Sequence, residues 1–214
     1  MIGRKEIEKA VKEVLEKSPK RNFKESIDLA INLKDIDMSK PKNRIDESIV
    51  LPSGCGREIK IGIFARGDTA LKAEKAGVNL IISAEEIPKL GADKKKLRAL
   101  IKDIDFFIAE APLMPTIGKN LGSILAPRGK MPEPISPSSD ILPIVERLRK
   151  TIRIRSRDRL TFHTSIGVRT MSIEELINNI EAVLKRIEPK LERGMQNVKS
   201  IYLKTTMGQA VRVI

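Results

Sequence analysis

The chain has 214 residues, 41% of them hydrophobic, which is enough to bury the core of one or two domains. Its 41 Lys and Arg against 28 Asp and Glu give a net charge of +13, which favours a polyanionic partner, above all nucleic acid. A single Cys and a single His exclude a disulfide framework and a structural zinc site within one chain.

Nothing in the sequence indicates a membrane or a secretory route. No run approaches the roughly 18 apolar residues of a spanning helix, and the first residues, "MIGRKEIEKA", lack the apolar core of a signal peptide. We therefore expect a cytoplasmic protein that makes no membrane contact.

The N-terminal segment predicts one helix and two strands. Apolar residues at helical spacing predict a helix over residues 4–17, ended by Pro19. The stretch "NFKESIDLAINL" alternates and predicts a half-buried strand whose core-facing residues are Ile27, Leu29, Ile31 and Leu33. "RIDESIVL" predicts a second strand, and the Pro and two Gly of "PSGCGRE" end it.

The middle of the chain has a different pattern. Short apolar runs, "IKIGIF", "VNLII" and "DFFIAE", alternate with predicted helices at about 69–76, after Ser83, over "KKKLRALIK", at 116–125 and at about 141–150. Ser83 and Glu86 match a capping box that would start a helix near Ala84. Because the runs are apolar on both faces, they predict a parallel sheet covered by helices on both sides.

Strand alternation returns in the C-terminal segment. "TFHTSIGV" places Phe162, Thr164, Ile166 and Val168 on one face. Ser172 and Glu175 match a second capping box, followed by an amphipathic helix with an apolar stripe from Leu176 to Leu191. "KSIYLKT" and "QAVRVI" predict two last strands.

These changes of pattern predict an α+β terminal domain with an inserted α/β three-layer (Rossmann-like) domain. The terminal domain is discontinuous, residues 1–57 plus 153–214, and the insertion is residues 58–152. Two chain crossings would connect the domains and allow a hinge between them.

No motif supports catalysis. "GKN" at residues 118–120 lacks the flanking Gly and hydroxyl residue of a phosphate-binding loop, and no G-x-G-x-x-G follows the first strand of the middle segment. His163 stands without an evident nucleophile beside it. We therefore expect no enzyme, no catalytic residues, no cofactor and no metal site.

Composition also narrows the way in which this chain would bind RNA. Five Phe, one Tyr and no Trp disfavour a single-strand binder that stacks many bases. Recognition of a structured RNA by its shape, backbone and hydroxyl groups remains. The strand "KSIYLKT" fits it, because one face carries polar side chains, namely Ser200, Tyr202, Lys204 and, beyond the strand, Thr206.

Two residues near these strands have alternative interpretations. Gly208 either supplies positive φ for a hairpin turn or lets an RNA backbone approach the chain, with Met207 covering a ribose or base. Phe23 shares parity with Ile27 and Leu29, which favours the edge of the core, but its position before the strand would also leave its ring available to a base.

Several long motifs resemble one known family. "LKTTMGQAVRV" and "GSILAPRGKMPEP", together with "INLKDIDMSKPKNRIDESIVLP", "DFFIAEAPLMP" and "NNIEAVL", resemble the ribosomal protein L-one family in its archaeal form, along nearly the whole chain. The resemblance implies two domains, one made from both termini and one inserted, and no catalysis. It also implies binding to a folded segment of large-subunit ribosomal RNA at the mobile stalk beside the tRNA exit site.

The resemblance implies a set of RNA-binding residues. The family's Thr-Met-Gly motif falls on Thr206, Met207 and Gly208, its upstream serine on Ser200, and its first-strand positions on Phe23, Ser26 and Asp28, with Lys204 beside them. Asn22 stands where many bacterial relatives have Lys, so Arg21 or Lys24 would replace that phosphate contact. Further candidates are His163, Gly167 and Arg169, and in the second domain Arg128 and Lys130, which would touch RNA or exit-site tRNA or be structural.

The expected function follows from the same resemblance. The protein would be a structural constituent of the large ribosomal subunit that binds its rRNA, assists release of exit-site tRNA and represses translation of its own operon mRNA. Its partners would be these RNAs and other large-subunit components, and it would be a monomer when free. A free RNA-binding translational regulator and a small-molecule-binding α/β module with a basic surface stay open as alternatives.

Overall fold

Seventeen regular helices and strands organise the residues that the structure, a computed structural model, describes: 3–19, 21–137 and 139–214. In chain order they are α1 (Arg4–Lys17), β1 (Ser26–Leu33), β2 (Asp46–Val50), β3 (Ile61–Ala65), α2 (Gly67–Lys75), β4 (Leu80–Ser83), α3 (Glu86–Ala92), α4 (Lys94–Asp103), β5 (Phe106–Glu110), α5 (Met114–Arg128), β6 (Glu133–Ile135), α6 (Ile141–Arg149), β7 (Thr151–Arg155), β8 (Thr161–Val168), α7 (Ile173–Ile187), β9 (Val198–Thr205) and β10 (Val211–Arg212). Short 3₁₀ turns lie at Pro41–Asn43, Ala111–Leu113, Glu188–Lys190 and Gly194–Asn197.

The chain divides into two compact units. The terminal unit combines the residues up to Arg57 with Lys150–Ile214, and the inserted unit is Glu58–Arg149. The second crossing lies earlier than predicted, because Thr151 and Ile152 pair with Val50 and Ile49 of β2, and Leu51 N donates to Lys150 O at 2.8 Å. Residues 150–152 thus belong to the terminal unit rather than to the insertion.

A four-stranded antiparallel sheet, in the order β10-β9-β1-β8, forms the centre of the terminal unit. The predicted alternation in β1 is confirmed, since Ile27, Leu29, Ile31 and Leu33 are buried. Helices α1 and α7 cover this apolar face and contact each other. Strands β2 and β7 form a separate antiparallel pair.

Helix α7 begins as the capping box predicts. Ser172 Oγ accepts from Glu175 N at 3.3 Å, and the Glu175 carboxylate accepts from Ser172 N at 2.8 Å, which lowers the pKa of Glu175. The apolar stripe from Leu176 to Ile187 is buried, but Leu191 lies beyond the helix end. Fully buried Asn179 interrupts the stripe and donates to Gly54 O and Ile166 O at 2.8 Å, which ties the loop before the crossing to β8.

The inserted unit contains the parallel sheet that its apolar runs predicted, in the order β4-β3-β5-β6. Phe64 and Phe107 lie in a core with residues from α3, α4 and α5, while α2 and α6 contact each other and β3. The ring centroids of Phe64 and Phe107 are 5.5 Å apart. The chain is therefore a mixed α/β protein with one antiparallel and one parallel four-stranded sheet.

Three local predictions were wrong in the inserted unit. Helix α3 begins at Glu86, because Ala84 and Glu85 form a turn and only the Glu86 carboxylate makes its half of the box, accepting from Ser83 N at 3.0 Å. Helix α5 runs through Pro127, which falls in its last turn. The segment between the helices predicted at 116–125 and 141–150, for which no strand was predicted, contains β6, an edge strand, where Pro134 is tolerated.

Within the described ranges, no helix is both long and apolar enough to cross a membrane.

Candidate nucleic-acid interface

The side of the terminal sheet that faces away from α1 and α7 is polar. Strand pairing arranges its side chains in three rows across the strands: Lys204, Asp28 and Ser165; Arg212, Tyr202, Ala30 and His163; and Ser200, Asn32 and Thr161. All except Ser200 are exposed or half-buried. We call these ten residues the polar face.

The side chains of the third row form hydrogen bonds with one another. Asn32 Nδ2 donates to Ser200 Oγ at 2.8 Å, and Thr161 Oγ1 donates to Asn32 Oδ1 at 2.8 Å. Ser200 is only 6% exposed. The structure thus places the candidate Ser200 on the polar face but largely under its neighbours, with a hydroxyl proton as its remaining donor.

Asp28 is the one acidic residue on the polar face. Burial raises the pKa of its carboxyl, while the electrostatic influence of the nearby basic side chains, His163, Lys204 and Arg57, opposes that shift. An aspartate between Lys204 and Ser165 is an acceptor on a surface rich in donors. It suits hydroxyl or amino donors of a nucleic acid rather than its phosphates.

A loop joins β9 to β10 at one end of this face, and its residues Thr206–Gly208 are here called the Thr-Met-Gly loop. Thr206 N donates to Ser26 O at 3.0 Å, and Ser26 N donates to Thr206 Oγ1 at 3.1 Å, so the loop is held against the start of β1. Gly208 N donates to Thr205 O at 3.2 Å and closes the turn. Met207 is 60% exposed, and Phe23, just before β1, is 51% exposed.

Gly208 does not have the positive φ that one interpretation required. An added Cβ would lie 2.2 Å from Thr205 Oγ1 and 2.4 Å from Ser18 Oγ. These two hydroxyls are buried and hydrogen-bonded at 2.7 Å. Glycine is needed here because the chain passes close to its own side chains at the end of α1.

The buried carboxylate of Glu25 anchors the Thr-Met-Gly loop. Glu25 is 1% exposed; it accepts from Arg169 Nη1 at 3.2 Å and from Met207 N at 3.4 Å, and its carboxylate lies 3.5 Å from Arg21 Nε. Sequence reasoning missed Glu25. The signal was its parity with Ile27 and Leu29, which places it on the buried side of the strand.

The two arginines that contact Glu25 also donate hydrogen bonds to backbone carbonyls. Arg169 donates to Ser18 O and Pro19 O at 2.6 Å, beyond the end of α1. Arg21 donates to Met207 O at 3.2 Å. Arg21 therefore contacts the Thr-Met-Gly loop directly and Arg169 supports it through Glu25, whereas exposed Lys24 makes no ion pair or side-chain hydrogen bond with the residues that the structure describes.

Two candidates on β8 have different positions. His163 is exposed on the polar face, opposite Ala30. At Gly167 an added Cβ would meet Leu176 Cδ2 at 2.7 Å and Met171 Sδ at 2.9 Å. A register shift between Ile27 and Asp28 turns this position inward, so Gly167 packs on α7 rather than facing the polar side.

The remaining candidates lie in the inserted unit, not on this sheet. Lys130 Nζ donates to Ile101 O at 2.7 Å and to Ile104 O at 2.5 Å, where it satisfies carbonyls at the end of α4, and burial lowers its pKa. Gly129, with φ of 70°, ends α5 in the left-handed conformation. Arg128 is exposed.

Comparison with known proteins places the chain in one family. A profile of the ribosomal protein L1p/L10e family matches residues 14–209. Three archaeal proteins called large ribosomal subunit protein uL1 align over 100% of both chains: that of Methanocella arvoryzae is 57% identical over 213 residues, that of Methanosarcina barkeri 51% over 213, and that of Archaeoglobus fulgidus 48% over 214. The chain belongs to the ribosomal protein L1p/L10e family.

Proposed function

We propose that this chain is a structural protein of the large ribosomal subunit and binds a folded segment of large-subunit rRNA. The names of its full-length relatives support the assignment to that subunit. The observation that carries the RNA site is the polar face of the terminal sheet, bordered by exposed Met207 and Phe23. Apolar side chains exposed beside a polar sheet fit contact with ribose and base surfaces.

The residues of this site divide by the part of RNA that they suit. Lys24, Lys204 and Arg212 carry exposed charges for phosphates. Asp28 and the hydroxyls of the polar face accept from or donate to ribose hydroxyls, which distinguish RNA from DNA. Tyr202, Phe23 and Met207 supply apolar surface, so the site recognises a folded RNA rather than a run of stacked bases.

The finer functions are part of the same proposal. A messenger RNA of the protein's own operon with a similar fold would bind the same surface, and this binding would repress its translation. Contact with exit-site tRNA during its release would follow from a position on the stalk. As a ribosomal protein it would lie in the cytoplasm. The motif resemblance is the support for the proposed messenger RNA binding, the tRNA contact and this location.

The only Tyr of the chain provides a direct test. Fluorotyrosine incorporated throughout the protein labels Tyr202 alone and gives a single fluorine resonance. We expect this resonance to shift when a stalk fragment of large-subunit rRNA is added. Thr206→Ala and Met207→Ala should weaken binding of that RNA by about 1 to 3 kcal/mol, because polar partners and covered apolar surface are lost.

The control is a methionine of the other unit. Met131→Ala removes the same side chain from a position that is 37% exposed, and it should leave the affinity unchanged. Tight RNA binding with an unshifted resonance and unaffected Thr206 and Met207 variants, all folded by circular dichroism, would place the site elsewhere. No binding of any rRNA fragment would contradict the function itself.

A further inference from the structure

Helix α4 of the inserted unit carries a stripe of positive charge. Lys94, Arg98 and Lys102 follow one another at intervals of four residues, and Lys95 lies beside them on the same side of the helix. All four are exposed, whereas Leu97 and Ile101 on another side of the helix are buried in the core. We call these four residues the α4 basic stripe.

The stripe has no counter-charge of its own. The first turn of α4 contains no acidic residue, and the Asp93 carboxylate that precedes it accepts from Lys95 N and Lys96 N at 3.1 and 3.0 Å. Asp103, at the other end of α4, forms no ion pair with the stripe within the described ranges. Across the described ranges, no ion pair or side-chain hydrogen bond involves the four basic side chains.

This arrangement is unfavourable for the isolated protein. Like charges four residues apart on a helix repel each other. Lys94 and Lys95 in the first turn also oppose the helix dipole, whereas Lys102 in the last turn complements it. An exposed helix would ordinarily alternate its charges. A polyanion laid along α4 removes both unfavourable terms and releases its own counterions.

We propose that the α4 basic stripe is a second RNA-binding surface, which contacts phosphates of a folded RNA without reading its bases. The composition of the surface favours RNA over an acidic protein. Protein interfaces are depleted in Lys and centred on apolar anchors, and the exposed large apolar side chains of the inserted unit, Leu71, Met131 and Leu142, lie outside α4. The proposal does not depend on the polar face of the terminal unit.

A matched pair of triple variants tests it. Lys94→Gln/Arg98→Gln/Lys102→Gln neutralises the stripe, and Lys72→Gln/Lys75→Gln/Lys119→Gln removes the same charge from exposed residues of α2 and α5. The probe is unfractionated transfer RNA, titrated at several salt concentrations. We expect the stripe variant to bind at least fivefold more weakly at low salt and its logarithmic salt slope to fall by about two, a larger change than in the control.

Two further readouts sharpen the outcome. The stripe variant should have a higher melting temperature than wild type, since repulsion along α4 is relieved, and it should still bind the stalk rRNA fragment through the terminal unit. Equal loss of transfer RNA binding in both variants would overturn the proposal in favour of a general charge effect. Stripe-dependent binding of polyglutamate that is tighter than that of RNA would overturn it in favour of an acidic protein partner.

Discussion

At the scale of single residues, Gly208 shows how a missing side chain shapes the proposed RNA site. Its Cα hydrogen points at the buried hydroxyl pair of Ser18 and Thr205, so the loop can close against the end of α1. The flanking Met207 is exposed. The glycine therefore acts through the protein's own packing, in addition to any space that it leaves for RNA.

Gly208→Ala should destabilise the protein by about 1 to 3 kcal/mol, because the new Cβ must displace that hydroxyl pair. Gly122→Ala, in the interior of α5 with no atom within 4 Å of the added Cβ, is the control and should stabilise by about 0.5 to 1 kcal/mol. Denaturant unfolding measures both. Equal stability of the Gly208 variant and wild type would show that the close approach is not maintained in solution.

Asp28 adds a pH-dependent term at the same scale. Burial raises its folded-state pKa, so the folded state holds the proton more tightly and ionisation of Asp28 opposes folding as pH rises through that range. Asp28→Asn should increase the free energy of unfolding at neutral pH. The gain should disappear as pH falls below the ordinary aspartate pKa of about 4, where the wild-type group is protonated in both states.

Unfolding curves of the two proteins across this pH range provide the measurement. A gain of the same size at low pH would mean that charge on Asp28 is not its cause. A loss of stability at neutral pH would mean that the carboxylate makes favourable contacts that outweigh its burial.

At the scale of secondary-structure elements, Glu25 joins three parts of the terminal unit. Through Arg169 it reaches the residues that follow α1, through Met207 N the Thr-Met-Gly loop, and through its own position the start of β1. The loop is therefore oriented by charges that lie under it, not only by its turn.

Glu25→Gln should destabilise the protein by about 2 to 4 kcal/mol, because two arginines lose their buried counter-charge. It should also weaken binding of the stalk rRNA fragment, since the Thr-Met-Gly loop loses its support. Glu13→Gln, which breaks an exposed pair with Lys17, should change stability by less than about 0.5 kcal/mol and leave RNA affinity intact. An unchanged RNA affinity in the Glu25→Gln variant would show that the Thr-Met-Gly loop is not part of the binding site.

Elements were predictable where a pattern repeats. Helix α1 and the alternation of β1 follow from periodicity, the capping box at Ser172 from the spacing of two residues, and the parallel sheet from continuous apolar runs. All of these patterns depend on neighbouring residues alone. Strand β6 and the inward turn of Gly167 were not predictable, since one depends on pairing with a distant strand and the other on a register shift.

The candidate site was predictable only in its outline. Strand parity and the family motifs indicated the polar face and the Thr-Met-Gly loop. They did not indicate which side chains form hydrogen bonds within the protein. Arg169 and Lys130 are basic in the sequence, and only the fold shows that each donates to backbone carbonyls. The anchoring role of Glu25 depends on arginines 4 and 144 residues away along the chain.

At the scale of the whole molecule, the basic residues that give the net charge of +13 have distinct roles. Arg21 and Arg169 neutralise a buried carboxylate, Lys204 and Arg212 belong to the polar face, and the α4 basic stripe is a separate feature of the inserted unit. Specific recognition is proposed for the terminal unit, where apolar and hydroxyl groups accompany the charges. Charge alone would give binding without selectivity.

The most direct test of the proposed function is sedimentation of this chain with archaeal large ribosomal subunits that lack their own copy of the protein. The full chain should join the subunits at a ratio of one to one, and a double variant, Thr206→Ala/Met207→Ala, should remain largely in the supernatant under the same salt. A wild-type chain that stays in the supernatant while it binds free RNA would contradict the ribosomal role and support a free regulator. Equal sedimentation of wild type and double variant would contradict the assignment of the site.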